Sequence, residues 1–571
     1  KETNSEGKET SGTLTITDNN NDGKLTANGG AGSAGIGGGF GNDGQAAITG
    51  GEITASGGYY GAGIGGGRNY NSAGGNGDVT ISGGKITARG DDHAAGIGGG
   101  GDYSNPTNTG NGNVTISGGE ITASGGWLGS GIGGGTFGTG TVTIKGDAII
   151  KDAQGGAGAA GIGGGSYGDG DVKVSGNAII ANTESAGYGS GIGAGQGSLR
   201  NNISTVGKVT IEGNAKIENA KSGYGGSGIG GGGRPGGTGK NICIEGNAHV
   251  TATAEEGAAI GGGSTGGNSI TIKDHAVVDA YGIYGAAIGD GGLSVGSGRP
   301  TTITISGNAT VHAEASEDGC AIGSGQHGNV DDLTINIEEN ANVTAIGPYD
   351  TPAIGNNRCT DGGTTTINIT GGTVNAINSF GSDDPKYSSQ HDGTGDHSPA
   401  IGAKIDKVVL TSGKTMEGTC NVNIDSSTGD TVVNAYIYGK GSGTAVGSRI
   451  CNYSDITHKY EYQDVPADSV SYHADGSSHF GERNSAIVNC YNNGTVKKEN
   501  LKEKLDLPDT LDYYASGHNE DRYYHTITGG TLTKVVHNRK YMDENPNIDT
   551  KKLEDEDLHD WKLVGKVVEP T

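Results

Sequence analysis

Val79-Thr80-Ile81-Ser82-Gly83-Gly84-Lys85-Ile86-Thr87-Ala88, a loop over residues 89–94, then Ala95-Gly96-Ile97-Gly98-Gly99-Gly100: this stretch decides the fold. Val-Thr-Ile and Lys-Ile-Thr-Ala alternate apolar and polar residues with the period of two that marks a half-buried strand. The Gly-Gly between them is a turn signal, and the glycine motif holds a third short apolar element. The same order returns over residues 114–123 with Ile132, and over residues 142–150 with Ile162.

Working outward, the aliphatic centre of the motif recurs at Ile36, Ile64, Ile97, Ile132, Ile162, Ile192, Ile229, Ile260, Ile288, Ile322, Ile354, Ile401 and Val446. By subtraction the intervals run from 28 to 37 residues up to Ile354, then lengthen to 47 and 45. A period in that range denotes a repeat architecture. Three short strands per repeat predict an all-β right-handed parallel β-helix of about thirteen coils, with handedness taken from the general preference for right-handed crossovers. Equivalent residues of successive coils then stack about 4.8 Å apart, so the motif isoleucines form one internal ladder.

The expected organisation is a β-helix over residues 1–455 and a C-terminal α+β cap, or a small appended module, over residues 456–571. The glycine motif is absent beyond about residue 455. Residues 497–507 carry apolar residues at helical spacing (Leu501, Leu505, Leu507) stopped by Pro508, a second helix is expected over 550–561, and a strand pair over 526–533. A solenoid needs such a cover because the open edge of its last coil invites further pairing.

Composition narrows function by exclusion. A formal net charge of −26 repels nucleic acid, anionic lipid and unassisted acidic polysaccharide, leaving neutral glycans, proteins and cation-bridged polymers as partners. Six cysteines, widely spaced and without a CxxC pair, specify neither a disulfide scaffold nor a structural zinc. No run of about 18 apolar residues suggests a membrane span. The chain begins at Lys1 rather than a methionine, which leads to the expectation of either a removed signal peptide or a start within a longer chain. Together with the acidic surface and abundant Asn-Gly and Gly-Gly turns, this fits a secreted or cell-surface bacterial protein.

The 118 glycines admit two readings: backbone freedom at sharp corners, or a bare floor for a ligand. Aromatic placement favours the ligand. Phe and Trp number only 4 and 2, against 23 Tyr. Tyr59, Tyr60, Trp127, Tyr188, Tyr224 and Tyr284 stand just before the motif, and Tyr70, Tyr103 and Tyr167 just after it. Stacked coil on coil, they predict two aromatic stripes beside a glycine strip, on which pyranose rings could lie. The alternative is that tyrosine tiles exposed loops, as it does at protein-binding surfaces.

Two other sites are candidates. Asp18, Asn20 and Asp22 match the first half of a calcium loop, with Gly23 at the sharp turn, but Gly29 stands where the twelfth-position carboxylate belongs. A structural calcium there competes with a plain Asx-rich turn, and no other cofactor is expected. No HExxH, G-x-S-x-G or P-loop is present. Glycoside hydrolysis needs only two carboxyls about 5–9.5 Å apart, which stacked coils can supply. Asp91, Asp92, His93 and Asp290, which interrupt the usual pattern, are the catalytic candidates if the protein is an enzyme.

The repeat over roughly residues 12–450 resembles the glycine-rich repeats of large secreted or wall-attached proteins of gut clostridia and related Firmicutes. More distantly it is similar to the pectate-lyase-like right-handed β-helix and its carbohydrate-binding members. The resemblance implies a surface-exposed β-helix that binds, and sometimes cleaves, a polymer. Polyuronate-cleaving members use basic residues with calcium on one face, whereas Arg68, Arg89 and Arg234 are scattered here. The expected function is non-catalytic binding of a polysaccharide or host glycan, as an adhesin or scaffold. A glycoside hydrolase is one alternative; a surface protein that binds a host glycoprotein such as mucin, or an immunoglobulin, is another.

Overall fold

A computed structural model of the protein describes two short N-terminal strands (2–3 and 9–10), residues 12–466 and residues 487–491. Outside the description lie residues 21, 69–74, 103–109, 198–204, 234–236, 264–266, 293–299, 317, 327–331, 349–350, 360–362, 379–397, 410–414, 417, 438–444 and 455–458. Tyr70 and Tyr103 therefore fall outside the described residues, as do the expected C-terminal helices and the strand pair at 526–533.

The described residues form a right-handed parallel β-helix without a helix among them. Each coil contributes one strand to each of three sheets. One coil runs Gly77–Ile81 in the entry sheet, Lys85–Arg89 in the middle sheet and Ile97–Gly98 in the glycine sheet. All thirteen motif strands, from Ile36–Gly37 to Val446–Ser454, pair in parallel in sequence order. Lys459–Pro466 then adds antiparallel to the last of them, and Ile487–Tyr491 extends the middle sheet beyond Thr431–Ile437.

Register follows the sequence repeat. Ile97 aligns with Ile64 and Ile132, Ile86 with Ile53 and Ile121, and Val79 with Val114. Because strand side chains alternate between faces, each coil sends about five small or aliphatic residues inward, and the motif ladder from Ile64 to Val446 is fully enclosed. Thr183 stands between Ala153 and Ala220 in its inward row. Its hydroxyl donates to the Gly191 carbonyl at 2.9 Å, so the polar atom is satisfied inside the core.

The glycine strip is a packed seam. Gly98 and its equivalents Gly133 and Gly163 adopt φ of 131°, 134° and 131°, a region L-residues avoid. A Cβ on Gly98 would collide with the carbonyl of Gly133 in the next coil, and one on Gly100 with the carbonyl of Gly67 in the preceding coil. The motif glycines from coil two onward are buried. The open floor expected along this strip is thus absent, because adjacent backbones occupy the space that side chains would need.

Outside the core, amide ladders tie coils together. The Asn177, Asn214 and Asn247 side chains each donate to the rung before, at 3.0, 3.1 and 3.0 Å, starting from Asp147. A second ladder joins Thr304, Asn336, Asn368 and Asn423.

Candidate functional site

Between the middle sheet and the glycine sheet the chain turns a corner, and there the exterior is concave. Three middle strands end on Ser56, Arg89 and Ser124, and the next carries Gln154 as its last residue but one, each of the four being followed by glycine. A Cβ on Gly90 would strike the carbonyls of Ala94 and Ala95, one on Gly125 those of Gly129 and Ser130, and one on Gly155 those of Ala159 and Ala160. The turn is too tight for side chains, so its outer surface is bare backbone. The result is a groove of about 690 Å³ extending over five coils, from Ser56 to Ala186. Arg89, Asp91, Asp92, Trp127 and Gln154 line it.

Trp127 is the most exposed large apolar residue described, at 63%. Asp91 is exposed and Asp92 half-buried. Asp92 and Tyr60 hold φ of 39° and 65°, conformations costly for residues with side chains and concentrated at functional sites. In the first of the two corner loops Tyr59 and Tyr60 stack at 4.0 Å.

Behind this wall His93 is buried, at 6% exposure. Its ring lies 4.7 Å from that of Tyr60 and 6.3 Å from that of Trp127, its Nε2 is 3.7 Å from Asp92 Oδ2, and its Nδ1 is 3.3 Å from Thr136 Oγ1. Burial lowers its pKa, outweighing the carboxylates of Asp92 and Asp102, which act the other way. A neutral, enclosed imidazole supports the wall and does not face the groove. The Arg68 guanidinium lies 4.7 Å from the Tyr60 ring centroid, and Arg68 Nε sits 4.0 Å from Asp102, a carboxylate at 1% exposure. The phenol of Tyr60 is pushed up to about 12, first by its hydrogen bond with Tyr59 and then by burial.

The remaining sequence candidates fall elsewhere. Tyr188, Tyr224 and Tyr284 continue the same corner in later coils and are half-buried. Tyr167 stacks at 5.1 Å on the buried Phe137 across the seam. Asp18 accepts from the Asn20 and Gly23 amides at 3.2 and 2.7 Å, the bonding of an Asx-rich turn. Among the described residues no group of three His, Cys, Asp or Glu side chains is placed to hold a metal ion.

Asp290 is fully enclosed, which removes it from any groove chemistry. Its Oδ1 accepts from the Asn268 amide and from Thr301 Oγ1, the latter at 2.8 Å. Oδ2 is buried without a partner. Burial raises its pKa to about 6 against an ordinary 3.8. The folded state therefore binds a proton that the unfolded chain releases between about pH 4 and 6, and stability falls as pH rises through that window. Asp290→Asn, which keeps shape without charge, is expected to reduce the stability difference between pH 4.5 and 7.5 by about 2 kcal/mol. Urea unfolding of both proteins at both pH values checks this, and parallel curves would refute it.

Sequence reading found Asp91, Asp92 and Trp127 but missed Arg89 and Gln154 as groove residues. Their signal was present in the alternation: Ala88 and Ala153 point inward, so the residue following each points out. Among the described residues, the carboxylates lining the groove, Asp91 and Asp92, come from one coil. At the same corner the flanking coils offer Tyr59 with Tyr60, and Trp127 with Leu128. Among the described residues, no second carboxylate from another coil faces them across the groove.

Comparison with known proteins agrees on architecture. Residues 20–40, 47–68, 79–101, 114–136, 303–326 and 367–396 match a family model described as a beta helix repeat. No curated protein and no solved structure matches the chain.

Proposed function

We propose that this β-helix repeat protein binds a linear polysaccharide or host glycan without cleaving it, at the surface of, or secreted from, a bacterial cell. The observation carrying this reading is the corner groove, with a bare backbone floor, the exposed Trp127 ring on one side and Arg89, Asp91, Asp92 and Gln154 around it. An indole face stacks on a pyranose ring. Guanidinium, carboxylate and amide groups supply donors and acceptors that fix hydroxyl orientation. Five coils at about 4.8 Å spacing make a trough about 19 Å long between its outer rungs, extended enough for several sugar residues.

A glycan array run beside a reducing-sugar release assay on the same panel tests the proposal. Retention without release is the expected outcome. Release would instead assign Asp91 and Asp92 to hydrolysis, and silence in both assays would favour a protein partner for the tyrosine-rich corner.

A further inference from the structure

The aromatic corner has a second station. Four and five residues before each motif isoleucine stand Tyr59 and Tyr60, then Asp92 and His93, then Trp127 and Leu128. Ala157 and Gly158 follow, so that the next coil has no large side chain at these two positions. Beyond it come Tyr188, Tyr224 and the pair Glu255–Glu256 on three successive coils.

At this station the rings of Tyr188 and Tyr224 meet edge to face with centroids 5.1 Å apart. A Cβ on Gly225 would lie 3.0 Å from Tyr188 Cδ1 and 3.6 Å from Glu256 Oε2. Ring and carboxylate thus converge above a residue that has no side chain. Burial, followed by the Glu256 charge, raises the Tyr224 phenol to about 12. The groove described above extends to Ala186, two residues before Tyr188, so the station adjoins its far end. Lys221, on the strand that leads to Tyr224, is held by Glu184 at 3.1 Å.

We propose that Tyr188, Tyr224 and Glu256 receive a protonated amino group of the bound glycan, so that the ligand contains amino sugars with free amines. This rests on the glycan-binding reading and narrows its ligand class. Aromatic rings alone would serve any pyranose, whereas a carboxylate in the same cradle selects for positive charge. An ammonium within about 6 Å of a ring is attracted by its quadrupole, and a charge-assisted bond to Glu256 adds to that attraction. The net charge of −26, which repels acidic polymers, draws a cationic one towards the protein.

The test is calorimetric titration of the full chain with a β-1,4-linked glucosamine tetramer and with its fully N-acetylated counterpart. The amine form is expected to bind about tenfold more tightly at low salt, with the preference shrinking as salt screens the charges. Glu256→Gln should erase the preference while leaving N-acetylated binding in place, circular dichroism confirming its fold. Equal wild-type affinities, a preference that survives Glu256→Gln, or array binding confined to amine-free glycans would each overturn the amino-group assignment alone. If neither tetramer nor any array glycan binds, the glycan-binding reading itself fails.

Discussion

Gly133→Ala is expected to destabilise the protein by at least about 3 kcal/mol, through backbone strain joined to a backbone clash. Gly133 holds φ of 134°, and an added Cβ would overlap the carbonyl of Gly163 in the next coil. That carbonyl cannot retreat freely, because it accepts the Gly134 amide at 2.9 Å, just as Gly133's own carbonyl accepts Gly99 at 2.9 Å. The same contact repeats at Gly98, Gly163 and Gly193, so one methyl group disturbs a column. Gly30→Ala is the control: a Cβ there meets nothing within 4 Å, and its effect should stay within about 0.5 kcal/mol. Urea midpoints for both variants decide the matter. In a solenoid the clash is also expected to split or broaden the transition, since stability is carried between neighbouring coils. Equal midpoints would mean that the glycine seam relaxes, and that its glycines are kept for another reason.

Trp127→Ala is expected to weaken retention on the cognate glycan by about 10–100-fold, the loss of 1.4–2.7 kcal/mol expected when a principal stacking ring is removed. The ring is 63% exposed, so its removal should leave the unfolding midpoint within about 0.5 kcal/mol of wild type. Affinity electrophoresis with matched denaturation curves separates lost binding from lost folding. Undiminished retention would remove the groove from the binding site. Trp127 is a cleaner probe than Tyr188 or Tyr224, because those two rings pack on each other.

The architecture was legible at the level of single residues. Val79, Ile81, Ile86 and Ala88 alternate with polar neighbours, and the spacing from Ile64 to Ile97 to Ile132 aligns each such set with the next. Alternation and period are local properties of a chain, and a solenoid is built from local contacts between successive repeats. The site was legible only in part. Asp91, Asp92 and Trp127 were recognisable because they break the repeat, whereas Arg89 and Gln154 were overlooked because they occupy ordinary outward positions.

What distinguished His93 from Asp92, and Asp290 from both, was enclosure. His93 carries the same sequence signal as its neighbour, yet Tyr60, Thr136 and Trp127 close around it. Asp290 reads as an acid in a loop, yet Asn268 and Thr301 receive it in the interior. Likewise the glycines read equally well as corner or as floor, until the positions of adjacent carbonyls showed the motif strip to be filled and the corner before it to be open. By itself, then, the sequence determined the coil, its strand order, its inward residues and the corner on which aromatics gather, since each follows from period and alternation. Tertiary structure alone decided which glycines face solvent, which carboxylates reach it, and which tyrosine shares a cradle with Glu256. Those outcomes depend on how far one coil's backbone lies from the next, a distance that no single repeat encodes.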